Sequence, residues 1–306
     1  MPFTLIKGQF RVVGLSPDGD SIRFLADDPA LLNGLPGGRP DPHPKPFAQL
    51  RLEGIDALET HYAARHQPTH WARAARDRLL EFAGIRNVQW DANQATIVAA
   101  DDGTRGWILS REREKYGRPV AFLFAGDPPD ADGSQIVLRP PMLRQSFNYT
   151  ALAEGLAYPT YYTGLFSDLR QEFTTAVSAA RSQGLGLWPG DRSTAGFDAT
   201  SLAVIIDQVA ILPKLFRRLS DYMAANGSAV GFREALALGG DVVWDLREQN
   251  RTHFDTFVQQ APGSVNIQLT RNPEELVFDP MPDVPGNFFA AMIGAPISGD
   301  AMQVAA

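Results

Sequence analysis

The sequence has no cysteine, which excludes disulfides, thiolate metal sites and cysteine nucleophiles. It also lacks any run of about 18 apolar residues, so no membrane-spanning helix is expected. The start, MPFTLIKGQFRVVGLSPDGD, has no basic segment followed by a long apolar stretch and reads as strand rather than signal peptide. A cytoplasmic setting without a membrane partner is therefore expected. A basic surplus is missing too: 28 Lys and Arg stand against 35 Asp and Glu, a net charge of -7. Surfaces that bind phosphate usually run basic. The deficit is uneven, with 20 basic against 21 acidic side chains through residue 190 and 8 against 14 beyond it. Non-specific attraction to long duplexes should therefore be weak, and any phosphate contact must come from local positive groups.

What is present is an ordinary globular balance, 44% hydrophobic and 21% charged over 306 residues. That suffices for one large domain or two ordinary ones. Phe3 to about Phe124 reads mainly as short alternating strands, with Phe10, Val12, Ile22, Phe24, Leu50 and Leu52 inward and SPDGD as a hairpin turn. Residues 26–47, dense in Gly and Pro, form a long excursion. WARAARDRLLEF predicts a helix over Trp71–Phe82 that stops at Gly84. A strand is expected at Val88–Asp91, an irregular acidic stretch (ADDGTRGWILSRERE) after it, and a buried strand at Val120–Phe124. Helices follow near Asn148–Gly155 and Leu165–Gln183. This order suits an α+β fold, an OB-fold-like five-stranded β-barrel with packed helices.

After GLWPGDRS the character changes. Ser201–Leu212 is apolar, Pro213 opens a helix at its first position, and Gly231–Leu238 is a further short helix. Phe254–Gln259 and Ser264–Leu269 read as a hairpin. The expected division is a catalytic domain over 1–195, a smaller mostly helical C-terminal domain with that hairpin over 196–285, and an extended tail over 286–306.

Four stretches carry chemistry together: Asp18-Gly-Asp20-Ser, Arg51-Leu-Glu-Gly-Ile-Asp56-Ala-Leu-Glu59, Lys115-Tyr-Gly-Arg118 and Glu154-Gly-Leu-Ala157. Asp20 and Asp56 are hard oxygen donors suited to Ca²⁺, and Arg51 and Arg118 are planar forks suited to phosphate oxygens. Glu59 is the candidate to orient or deprotonate an attacking water. Arg51 and Asp56 are an odd number of residues apart, which strict alternation would put on opposite faces. A bulge or break at Gly54 is therefore predicted.

In order and spacing these stretches resemble the staphylococcal nuclease (thermonuclease) family over roughly residues 8–190. The resemblance implies a Ca²⁺-dependent endonuclease of DNA or RNA that leaves 3′-phosphate ends, with Arg51, Glu59 and Arg118 catalytic. It implies Asp20, Asp56 and the backbone carbonyl of Ala57 as metal ligands, with Asp18 near the ion through water. Lys115, Tyr116 and Tyr161 match positions lining the nucleotide pocket, where aromatic rings stack on bases. The sequence departs from the family in the Ala57-Leu58 pair before Glu59, which leaves that loop less rigid, and in Tyr158, which replaces a basic residue.

Blander readings stand beside these. Asp18 and Asp20 alone would pass for turn residues. His61, His66 and His70 read as surface histidines despite a helical spacing between the last two, since no third ligand accompanies them. Tyr161 and Tyr162 suit packing as well as a pocket. The apolar row Leu202, Ile205, Val209, Leu212, Phe216, Leu219 and Met223 suits a domain core or a homodimer face. The alternative function is an OB-like nucleic-acid or protein binding scaffold that does not cut. An acidic C-terminal part could also shield the site, in which case deleting the chain beyond about residue 195 would raise activity.

Overall fold

The strands follow from alternation broken by glycine-rich turns. In β1 (Phe3–Arg11) Phe3, Leu5, Ile6 and Phe10 point inward. It runs antiparallel to β2 (Arg23–Ala26), which pairs with β3 (Phe47–Gln49). The computed structural model describes residues 2–38 and 47–280. Part of the predicted excursion over 26–47 and the predicted tail over 286–306 lie outside these. The described part of the excursion holds a short helix, α1 (Pro29–Asn33), capped by the Asp28 side chain.

Next come β4 (Arg51–Leu52) and β5 (Ile55–Ala57), then α2 (Thr69–Phe82), which buries Ala72, Ala75, Leu79 and Leu80. Gly84, at φ 77°, follows it where a stop was expected. Strands β6 (Arg86–Trp90) and β7 (Ile97–Asp101) form a hairpin, followed by β8 (Thr104–Arg113) and β9 (Pro119–Ala125).

The reading of Ala100–Glu114 as an irregular acidic stretch is corrected here. Its charges sit at the ends, while Trp107, Ile108, Leu109 and Ser110 are buried. This centre is the middle of β8, paired with β1 on one side and β9 on the other.

The main sheet runs β3-β2-β1-β8-β9-β4. Its first and last strands are the two halves of one extended segment, residues 47–52, so the sheet curls back on itself. A short strand, β10 (Gln135–Ile136), pairs with the free end of β1. Helices α3 (Pro140–Leu143), α4 (Phe147–Ala153) and α5 (Ser167–Ser182) complete the unit, with strand β11 (Ala157–Pro159) paired to β5. Leu169, Phe173, Ala176, Val177 and Ala180 form the buried face of α5. Trp107 stacks on Phe124 at 3.9 Å and Phe3 meets Phe122 edge-on at 5.5 Å. The result is a mixed α+β fold with a curled sheet, consistent with an OB-like architecture.

The chain divides into two compact units: residues 1–60 with 69–189, and His61–Pro68 with the chain from Gly190 onward. The second unit contains α6 (Pro213–Asn226), with Pro213 in its first turn and Gly227 in the left-handed region at its end. It also contains α7 (Phe232–Gly239). The strand Val242–Asp245 pairs with Asn250–His253 and with Leu276–Phe278. The predicted hairpin is narrower than expected, since only Val258–Gln259 pairs with part of Asn266–Leu269 and Phe254–Phe257 is a 3-10 turn. Ile205, Leu212, Phe216, Leu219 and Met223 are buried, which puts most of that apolar row in the core.

No helix among the described residues is long and apolar enough to cross a membrane.

Candidate active site

The turn between β1 and β2 brings Asp18 and Asp20 to the chain that follows β4. Asp20 accepts a hydrogen bond from the Leu52 N–H at its carbonyl (3.0 Å) and from the Ala57 N–H at Oδ2 (3.2 Å). Gly19 permits this approach: a Cβ there would lie 2.7 Å from the Cβ atoms of Ala57 and Ala75. Asp56 is buried opposite Tyr158 in the β5–β11 pair. Two carboxylate-bearing residues from distant parts of the sequence thus meet at the Asp56–Ala57 peptide.

The break needed to bring Arg51 and Asp56 together is present. β4 ends at Leu52, β5 begins at Ile55, and Gly54 between them has φ 77°. A Cβ on Gly54 would sit 2.5 Å from the Phe173 ring, so close packing requires glycine there as well.

Arg51 lies beside Val120 in the parallel β4–β9 pair, with its guanidinium 4.6 Å from the Tyr162 ring centroid. Burial works against its charge, but a hydrogen bond with Tyr162 and the fields of Asp56 and Glu53 outweigh it and push the pKa up. Arg51 is therefore a permanent cation within electrostatic reach of Asp56.

Arg118 immediately precedes β9, two residues before Val120. Val120 is the residue paired with Arg51 across the β4–β9 ladder. Its guanidinium rests on Glu114, Nε to Oε1 3.3 Å. The same carboxylate oxygen accepts the backbone N–H groups of Tyr116 and Arg118 and so holds the turn. On that turn the Lys115 ammonium lies 5.1 Å from the Tyr116 ring centroid, and Tyr116 is 64% exposed.

Asp18 has a different setting. It accepts the Gly19 N–H (2.8 Å) and both the hydroxyl and N–H of Thr60, the residue after Glu59. Burial, and then the neighbouring Asp20 carboxylate, push its carboxyl up to about 7 against those hydrogen bonds. Tyr161 is fully buried, with its hydroxyl 3.0 Å from Thr174 Oγ1. Its neighbour Tyr162 is the one that meets Arg51. Glu154 takes a bidentate hydrogen-bonded ion pair from Arg78, both contacts 2.9 Å, and joins α4 to α2.

Two contributors went unnoticed in the sequence, Glu114 and Asn148, while Tyr162 is weighed there as packing or pocket. The Asn148 amide donates to the carbonyls of Glu53 (2.9 Å) and Ala121 (3.0 Å) and accepts from the Leu123 N–H. It thereby pins the β4–β5 break to β9. A lone Asn in a helix gives no such signal in sequence. Glu114 could have been found as a carboxylate four residues before Arg118.

Glu53 is buried beside Arg51. Burial raises its carboxyl to about 7 from an ordinary 4.5, with Arg51 opposing and Glu112 adding to the rise. Between those values the folded chain keeps a proton that the unfolded chain releases, so stability falls as pH rises through the window. The cost above pH 7 is on the order of 3 kcal/mol. Glu53→Gln should therefore raise the melting temperature at pH 8 and leave it nearly unchanged at pH 4. An equal shift at both pH values in calorimetry would contradict this.

Among the described residues no group of three or more His, Cys, Asp or Glu side chains is placed to hold a metal. The ligands expected from the sequence, Asp20, Asp56 and the Ala57 carbonyl, comprise two carboxylates and a peptide oxygen. All three are hard donors of the type Ca²⁺ takes.

A curled sheet with packed helices and a charged cluster on β4, β5 and the β1–β2 turn make up a mixed α+β, OB-like domain. Residues 49–190 match the family model described as staphylococcal nuclease homologue, and the chain carries an SNase-like domain. The match includes Arg51, Asp56, Glu59, Lys115, Tyr116, Arg118 and Tyr161; Asp18 and Asp20 precede it and reach the same place through the sheet. No curated protein matches the chain.

Proposed function

We propose that the chain is a Ca²⁺-dependent nuclease that hydrolyses phosphodiester bonds of DNA or RNA endonucleolytically, leaving 3′-phosphate ends. The single observation that carries this reading is the meeting of Asp20 Oδ2 with the Ala57 N–H at 3.2 Å, beside the buried Asp56 and within the field of Arg51. Asp20, Asp56 and the Ala57 carbonyl would hold the ion. Bound there, Ca²⁺ would polarise the phosphoryl group and favour the extra negative charge of a five-coordinate phosphorus.

The chain's own residues do the rest. Arg51, fixed by Tyr162, clamps non-bridging oxygens. Glu59 orients or deprotonates the water. Arg118 leaves Glu114 to meet the charge that develops on the phosphoryl oxygens. Lys115 and Tyr116 present a cation and a ring to the nucleotide, and Asp18 holds the chain after Glu59 through Thr60. Tyr161 contributes as packing beneath the pocket, with Tyr162 facing the phosphate clamp.

Labelled DNA and RNA should be cut with Ca²⁺ and left intact with a chelator, and Glu59→Gln should cut neither. Cleavage that persists in the chelator or in the Glu59→Gln chain would refute the reading. The scaffold alternative predicts binding of nucleic acid with no cleavage under any metal.

A further inference from the structure

Outward from Arg51 the main sheet carries further cations. Along the segment 47–52 the part-exposed Gln49 and Arg51 alternate with the buried Leu50 and Leu52, so both lie on the solvent side. Gln49 is paired with Arg23 of β2, and Arg23 with Arg11 of β1. Residues paired across strands share a face, so one row runs from Arg51 and Gln49 through Arg23 to Arg11. Every member belongs to the first compact unit.

This row breaks the usual rules of a stable sheet. Arg23 and Arg11 stand directly opposite each other, a placement in which like charges destabilise. The Arg23 guanidinium lies 4.8 Å from the Phe47 ring centroid, and its Nε is buried without a hydrogen-bond partner. Burial lowers its pKa, and no carboxylate among the described residues works against this. Arg11 donates to Gln9 Oε1 at 2.8 Å, has Asp102 no nearer than 3.8 Å, and keeps its side chain 43% exposed.

Arg105, paired with Gln9 on the same face, shows the ordinary arrangement. Asp27 takes it with two contacts of 2.8 and 2.7 Å. A desolvated guanidinium opposite a second one has no such compensation, and an uncompensated local cost marks a functional place. What would satisfy the pair is anionic charge brought from outside. Arg23 follows Asp20 by three residues, no more than about 10 Å of extended chain.

We propose that Arg23 and Arg11 form a second binding site on this unit, for phosphates of the substrate strand that flank the scissile one. The inference rests on the nucleic-acid substrate of the nuclease reading and adds a length dependence to it. A nucleic-acid strand is favoured over an acidic peptide because the row is continuous with Arg51, the proposed phosphate clamp. It also supplies local positive groups in a chain of net charge -7.

The test uses the full chain on the non-cleaving Glu59→Gln background, carrying Arg23→Gln, Arg11→Gln, both together, or Arg23→Lys. The probe is a labelled single strand of about twelve nucleotides, titrated across a salt series. Each glutamine variant should weaken binding on the order of 3- to 10-fold and flatten the slope of log K against log salt by about 0.7, the double variant by about 1.4. Arg23→Lys, which keeps the charge, should retain the native slope. With Glu59 restored, the loss of kcat/KM in Arg23→Gln should grow with substrate length. It should run from under about twofold on a dinucleotide to on the order of 10-fold on the longer strand, and be carried by KM. The melting temperature of Arg23→Gln should equal or exceed that of the native chain, since an opposed cation is removed.

A native salt slope in both glutamine variants, or a kinetic loss independent of length, would overturn the proposal. Competition by polyglutamate equal to that by the oligonucleotide would overturn it too, by assigning the face to an acidic protein. A lowered melting temperature in Arg23→Gln, with a binding loss that Arg23→Lys does not recover, would reduce Arg23 to packing. Strand binding that needs both arginines in a native chain that cleaves nothing would overturn the nuclease reading and keep this site. Cleavage that is indifferent to both arginines at every length would do the reverse.

Discussion

Replacing Arg118 with alanine should lower kcat/KM for Ca²⁺-supported cleavage on the order of 10³-fold, the scale set by removing one preorganised charge-stabilising donor. The loss should fall on kcat, because the guanidinium now rests on Glu114 and would contact phosphate only as charge develops. Arg118→Lys should recover little, since an ammonium cannot present two parallel N–H groups. Arg118 is partly exposed at a strand start, so stability should change by no more than about 0.5 kcal/mol. The companion variant Glu114→Gln keeps an acceptor for the Tyr116 and Arg118 N–H groups and removes the competing charge. It should leave cleavage equal or up to about fivefold faster, the range of a partly exposed ion pair. Steady-state kinetics on one labelled oligonucleotide decides both. Arg118→Ala with native kcat would remove Arg118 from the mechanism.

The second large effect concerns the ion. Asp56 is buried and supplies one of two carboxylates in the proposed donor set. Asp56→Asn removes a formal charge from a site whose affinity follows its charge count. Ca²⁺ affinity should fall on the order of 100-fold or more, exceeding the 10–100-fold typical of losing an outer contact to a ligand. The variant should cut no faster at saturating Ca²⁺ than the native chain does in chelator. Calorimetric titration with Ca²⁺ and the cleavage assay should agree. Native Ca²⁺ binding by Asp56→Asn would move the ion elsewhere.

Much of the site-bearing half was legible because its signals are local. Alternation marked β1, a continuous apolar run marked the strand Pro119–Ala125, Gly84 and Pro213 marked helix ends, and the odd spacing of Arg51 and Asp56 required a break that Gly54 provides. The long strand β8 was hidden because its ends are charged and only its centre is buried, so composition pointed to a loop. Tyr162 rather than Tyr161 meets Arg51, a choice between neighbours that depends on strand facing and leaves no mark in sequence. Asn148 and Glu114 act across gaps of 4 to 95 residues. Of these, only the four-residue gap has a sequence signature. The excursion of His61–Pro68 into the second unit is a tertiary fact of the same kind.

The most direct measurement is a crystal structure of the chain with Ca²⁺ and a non-hydrolysable oligonucleotide. The ion should lie about 2.3–2.6 Å from carboxylate oxygens of Asp20 and Asp56 and from the Ala57 carbonyl. One phosphate should be gripped by both Arg51 and Arg118. An ion bound away from Asp20 and Asp56, or a phosphate touching neither arginine, would contradict the account.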